Sequence, residues 1–106
     1  MESINLNNAI EFHDQNPFAK PLHVDENGRA LLFSLHPGQN VKEHNAPSSP
    51  IYIVIIKGKG IFSDDNGEVR TYGPGNLLVI NPKENYAVRA IDELVFLSFL
   101  HGAPGY

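Results

Sequence analysis

The segment Ile51-Tyr52-Ile53-Val54-Ile55-Ile56-Lys57-Gly58-Lys59-Gly60-Ile61-Phe62 joins an unbroken run of β-branched and aromatic residues to a glycine-flanked lysine and a second apolar start. Such side chains fit a pleated surface and lose rotamer freedom in a helix. The run has the length of a strand, and the glycines interrupt it. Working outward, Leu77-Leu78-Val79-Ile80 and Leu94-Val95-Phe96-Leu97 repeat the pattern. Turn signals stand at Asn27-Gly28, Pro37-Gly38, Pro47-Ser48-Ser49-Pro50, Asn66-Gly67, Gly73-Pro74-Gly75 and Asn81-Pro82. Asn-Gly suits the positive backbone angles of a two-residue hairpin turn, so hairpins are expected at 27–28 and 66–67, and Gly58-Lys59-Gly60 reads as a further hairpin turn. Many short strands between regular turns predict an all-β sandwich or barrel, with helix confined to the neighbourhood of Asn8 to Phe12.

A strand with one wet face alternates apolar and polar residues, but these runs are apolar on both faces. Their outer side therefore needs a cover. The expectation is an isologous homodimer in which the outer faces pack together, the alternative being cover by the N-terminal segment.

The chain has 106 residues, 42% of them hydrophobic and 19% charged, with 9 Gly, 8 Pro and no Cys. That is the profile of one globular domain, 1–106, with an N-terminal arm over 1–20 and a barrel core over 29–100. A chain this long buries roughly two thirds of its unfolded surface, so its core does not require a metal or disulfide staple. The formal charge of −4, from 12 acidic and 8 basic side chains, lacks the basic footprint of a nucleic-acid or anionic-lipid binder. Without cysteine, thiolate nucleophiles and thiolate metal sites are excluded. No apolar run approaches the roughly 20 residues of a membrane helix, and no signal-peptide pattern is present, so no membrane partner and a cytoplasmic location are expected.

Two stretches carry a family resemblance. Gly38, five residues, His44-Asn45-Ala46, four residues, Ile51, six residues and Gly58 follow one frame; Gly75-Asn76-Leu77-Leu78-Val79-Ile80-Asn81-Pro82 leading to Asn85-Tyr86 follows a second. In both the chain resembles the cupin superfamily, small jelly-roll barrels (double-stranded β-helices) of the RmlC-like kind. The resemblance covers most of the chain and implies a barrel pocket at positions 44, 46, 51 and 86. In the family those positions hold His, His, Glu and His; here they are His44, Ala46, Ile51 and Tyr86, so only His44 keeps a usual metal-binding side chain. A lone imidazole holds a transition metal weakly, and an ordinary phenol, with a pKa of about 10, is protonated at neutral pH.

His44 and Tyr86 are the candidate chemical groups. Each has a structural interpretation, as a satisfied histidine or a packed tyrosine, and a chemical one, as an imidazole base facing a phenolic acid. His13, His23 and His36 read as surface or loop histidines, while His101, at the end of the last strand, either closes over the mouth or caps the strand. Asp64-Asp65 and Asp92-Glu93 read as solvated turns, and the Pro47-Ser48-Ser49-Pro50 loop as a rigid connector beside the pocket. The expected function is binding of a small polar organic ligand in the barrel, without the usual tightly bound metal. Cupins include dioxygenases, isomerases, decarboxylases, sugar-binding regulators and seed storage proteins. The resemblance therefore also allows a metal-independent isomerase or epimerase using His44 and Tyr86, a divalent-metal oxygenase or isomerase with atypical ligands, or an interaction module with a vestigial pocket.

Overall fold

The computed structural model describes residues 1–44 and 49–101, the side chain of His44 excepted. Among them one helical turn, α1 (Leu6–Ala9), precedes nine strands: β1 (Phe18–Asp25), β2 (Gly28–Leu35), β3 (Asn40–His44), β4 (Ile51–Lys57), β5 (Gly60–Asp64), β6 (Val69–Tyr72), β7 (Leu77–Ile80), β8 (Asn85–Ala90) and β9 (Leu94–His101). They form two antiparallel sheets, β1-β2-β9-β4-β7 and β3-β8-β5-β6. From β3 to β9 nearly every connection crosses between the sheets, which is the winding of a double-stranded β-helix.

The run at Ile51–Ile56 explains why the sheets close on each other. Ile51, Ile53 and Ile55 point inward and are buried, while Tyr52, Val54 and Ile56 face out. The same alternation in β2, β8 and β9 brings Phe33, Leu35, Val88, Leu94 and Phe96 into one core. Phe96 is wholly buried, stacks on Phe33 with ring centroids 4.8 Å apart and meets the edge of Phe62 at 6.1 Å. Burying an aromatic or aliphatic side chain contributes about 1.5–3 kcal/mol, so this cluster holds the barrel together.

The outer face of the larger sheet is covered in part. Ala9, with Ile10 and Phe12 beside it, packs on Leu32, Val95, Leu97 and Ile56, so the N-terminal segment covers the β2–β9 side. Toward the β7 edge Tyr52, Leu77, Val79 and Phe99 stay exposed. The N-terminal segment thus accounts for the apolar outer face on one half of the sheet, and the other half is exposed.

Several local expectations shift. The helix lies at Leu6–Ala9 rather than at Asn8 to Phe12, because the Asn5 side chain accepts from the Asn8 N–H and starts the turn early, and the backbone is extended by Ile10. Gly58-Lys59 is not a hairpin turn, since β4 and β5 belong to different sheets. It carries the chain across the barrel, and Gly58 takes φ +78° against the Glu93 carbonyl. Both Asn-Gly pairs do mark hairpins, β1–β2 and β5–β6. At the first, the loop is Glu26-Asn27, and the Asp25 carboxylate accepts from the Asn27 and Gly28 N–H groups at 2.8 and 3.1 Å. A side-chain acceptor in place of a positive-φ pair moves that turn by one residue. Among the described residues no helix is long and apolar enough to cross a membrane.

Candidate ligand site at the barrel mouth

Strand direction gathers one set of ends together. The β1–β2 turn, the end of β3, the start of β4, the β5–β6 turn, the β7–β8 turn and the end of β9 all lie at the same end of the barrel. Register then builds two inward rows there. Arg29, Leu100, Ile51 and Ile80 align across β2, β9, β4 and β7. Glu43, Tyr86 and Asp64 align across β3, β8 and β5. Directly opposed residues share a face, and Ile51, Ile80, Leu100 and Tyr86 all belong to the core cluster, which identifies that face as the inner one.

The mouth is therefore apolar on most of one wall and polar on the other. A cleft of about 440 Å³ runs between β7 and β5–β6, with Phe62, Tyr72, Leu78, Ile80 and Tyr86 among its lining. A second, of about 330 Å³, lies beside it against Lys42, Glu43, Asp65 and Ala87, and Tyr86 lines both. Volumes of this size hold small organic molecules.

Electrostatics separates the polar groups. Burial chiefly, and the nearby Glu43 carboxyl in addition, push the Tyr86 phenol well above the ordinary tyrosine range, so it keeps its proton. The Glu43 carboxyl is itself raised by partial burial, against the Arg29 guanidinium, which favours the ionised form. Asp64 is engaged in its own turn: its Oδ1 accepts from the Asn66 and Glu68 N–H groups at 2.9 and 3.0 Å. The Asp65 carboxylate accepts from the Asn85 N–H at 2.9 Å and pins the start of β8.

The sequence-derived candidates fall into place unevenly. Ile51 and Tyr86 are both buried, 4% exposed each, in the same cluster on facing sheets. His44 closes β3, its backbone paired with Asn85; its side chain and Ala46 lie outside the described residues, as does part of the Pro47-Ser48-Ser49-Pro50 loop. His101 ends β9 at the mouth, paired with Gly28. His13 and His23 are exposed and hold Glu11 and Asp25 at 2.7 and 2.9 Å, whereas His36 is partly buried and stacks on Phe12. None of these three belongs to the mouth rows. Sequence reasoning missed Arg29 and Glu43. The signal for Arg29 was present, since it shares the parity of Leu31, Phe33 and Leu35.

The described positions do not fit the imidazole–carboxylate metal centre that the fold implies. Ile51 offers no lone pair, and Tyr86 is held as a neutral phenol. Among the described residues no group of three or more His, Asp or Glu side chains could hold a metal ion.

Comparison with known proteins agrees with this architecture. An RmlC-like cupin protein from Desulfovibrio desulfuricans is 27% identical, with a TM-score of 0.86 over 95% of this chain and 96% of that one. A protein with a double-stranded β-helix domain from Klebsiella pneumoniae is 15% identical, with a TM-score of 0.89 over 98% of this chain and 87% of that one, a likeness of fold alone. The cupin domain of an XRE family transcriptional regulator from Enterobacter cloacae is 25% identical, with a TM-score of 0.71 over 82% and 97% of the two chains. Among curated proteins no relative matches. The family model for the cupin domain matches residues 31–100, the span from the core of β2 to the end of β9, and the chain belongs to that family.

Proposed function

We propose that this protein binds a small polar organic ligand in the mouth of its barrel, without the family's usual tightly bound metal. One observation carries the proposal: Arg29, Glu43, Tyr86 and Asp64 face, from four strands, a mouth otherwise walled by Ile51, Ile80 and Leu100. Concave apolar surface with a few convergent polar groups is the usual form of a small-molecule site. His44 and Ala46 complete the pocket in this proposal, the first as a hydrogen-bonding group and the second as part of the wall.

Binding is favoured over proton transfer by the state of Tyr86. A general acid works best with a pKa near the working pH, and burial moves this phenol in the opposite direction. A neutral phenol is well suited to donating a hydrogen bond to a ligand oxygen.

The test is thermal denaturation of the whole protein against small carbohydrates, keto acids and aromatic acids. A ligand at a hundred times its Kd stabilises by about 2.7 kcal/mol, a shift of many degrees for a domain this small. The expected result is a raised Tm that is reduced in His44→Ala and Tyr86→Phe. A panel in which no compound moves Tm overturns the proposal.

The homodimer belongs to the same proposal. In register, Tyr52 stands between Val79 and Phe99, and Leu77 lies one row away, forming an exposed apolar strip on the outer face of β9-β4-β7. A second copy related by a two-fold axis would cover the strip with itself. Sedimentation of the wild type and of Tyr52→Lys tests this: a dimer that the lysine dissociates is expected, and a monomeric wild type at micromolar concentration removes the dimer.

A further inference from the structure

The larger cleft, of about 440 Å³, is lined by rings and by charge. Phe62 and Tyr86 are buried in its lining, whereas Asp64 and Glu84 are partly buried and Glu68 and Arg70 exposed. Arg70 Nη2 lies 3.5 Å from Glu68 Oε1, so these two charges balance each other. Among the described residues no lysine or arginine forms an ion pair with Asp64 or Glu84. Each uses one oxygen in the fold: Asp64 Oδ1 accepts from the Asn66 and Glu68 N–H groups, and Glu84 Oε1 from the Asn81 N–H at 2.7 Å. The adjoining cleft adds Glu43 and Asp65 against Lys42. A concave surface with this excess of carboxyl groups concentrates cations and repels anions.

A second, independent observation points to a ligand. Tyr86 is 4% exposed and lines both clefts. Its hydroxyl has no hydrogen-bond partner among the described residues, where the Arg29 Nε alone is both unpartnered and shut off from solvent. The Tyr86 hydroxyl is therefore unpartnered yet open to the clefts, and a ligand oxygen would satisfy it. The cation that this lining suits is larger than a metal ion. Among the described residues no three His, Asp or Glu side chains are placed to hold one. Carboxylates spread around a volume walled by aromatic rings are the setting of an organic cation.

We propose that this cleft takes a small hydroxylated amine in its ammonium form. The charge lies beside Asp64 and Glu84, the apolar body against Phe62, Tyr72 and Leu78, and the ligand oxygen accepts from the Tyr86 hydroxyl. This rests on the binding function proposed above and names its ligand class.

Matched probes that share an oxygen and differ in charge test this. Tyramine and aminobutanol are titrated into the whole protein by calorimetry and thermal denaturation, beside the neutral tyrosol and butanediol and the anionic para-hydroxyphenylacetate and hydroxybutanoate. At least one amine is expected to bind about tenfold or more tightly than its neutral counterpart, with the anion weakest, and salt is expected to shrink the preference. This series on the wild type decides the charge class without any variant. Asp64→Asn and Glu84→Gln remove the charges and keep the oxygens that accept from the backbone. The double variant is expected to keep the wild-type Tm without ligand and to bind the amine no better than the neutral probe. Tyr86→Phe is expected to weaken tyramine several-fold and to leave phenethylamine, which lacks the hydroxyl, unchanged; equal tyramine binding in that variant overturns the phenol contact. If neutral or anionic probes bind as tightly as the amines, or the folded double variant binds the amines unchanged, the ammonium class falls while the binding function stands. If none of these probes binds, the ammonium class falls, and the binding function falls with it only when the carbohydrate and acid panel also leaves Tm unmoved.

Discussion

Glu43 on β3 and Tyr86 on β8 stand directly opposite each other in register and face into the barrel at its mouth. The pairing places a carboxyl against a phenol where the family frame sets a histidine among other metal ligands. Burial raises the cost of ionising both groups, the Glu43 charge adds to it for Tyr86, and the Arg29 guanidinium works against it for Glu43.

Tyr86 belongs to the core cluster and also lines both clefts. Tyr86→Phe is expected to change stability by no more than about 1 kcal/mol, whereas Tyr86→Ala costs about 3–5 kcal/mol in urea denaturation. In an alkaline titration followed by ultraviolet absorbance, one of the four tyrosines ionises later than the rest, and this late phase is missing in Tyr86→Phe. Because the unfolded chain ionises first, stability falls as pH rises past the ordinary tyrosine range, and it falls less steeply in that variant.

His23 is held by Asp25 at 2.9 Å and by Glu2 at 3.2 Å, and the Asp25 hydrogen bond, followed by the charge of Glu2, raises its pKa above 6.5. The raised value means that the pair stabilises the fold below the ordinary histidine pKa and ceases to do so as pH rises through the folded one. Proton NMR of the His23 ring is expected to show a midpoint above 6.5. In Asp25→Asn the midpoint moves back toward that value, while the retained Oδ1 still accepts from the Asn27 N–H.

Gly58 and Gly67 share φ +78° but differ in surroundings. A Cβ at Gly58 would collide with the Glu93 carbonyl, whereas at Gly67 nothing lies within 4 Å. Gly67→Ala is expected to cost about 1 kcal/mol, the backbone penalty alone. Gly58→Ala is expected to cost at least about twice that, because the β4–β5 crossing and the 91–93 turn must separate. Denaturant melts of the two variants measure the difference.

Ala9 covers Leu32 and Val95, and its small side chain leaves no room for a charge. Ala9→Asp is expected to lift the N-terminal segment from the sheet without unfolding the barrel, whose core cluster is separate. The result would be faster amide exchange over residues 6–12 and increased binding of an apolar dye. Unchanged exchange in the folded variant would contradict this account of the cover.

Much of the fold was legible because strand and turn are local properties. The β-branched run at Ile51–Ile56 and the positions of both hairpins follow from side-chain shape and backbone freedom over a few residues. Gly58-Lys59-Gly60 was not legible in the same way. A turn between two strands has the same composition whether they pair or part, and only the core that draws β4 and β5 into opposite sheets separates these cases. The candidate site divides similarly. Tyr86 and Ile51 came from spacing within a motif, but Arg29 and Glu43 become partners of that site only when β2 and β3 face each other across the barrel.

By itself, then, the sequence determined that this chain is an all-β barrel of cupin type, because periodicity, turn residues and motif spacing are written along the chain. The tertiary structure alone decided which polar side chains share the mouth and which half of the outer sheet stays bare. Both depend on pairing between strands distant in sequence, where a shift of one residue would turn every side chain to the other face.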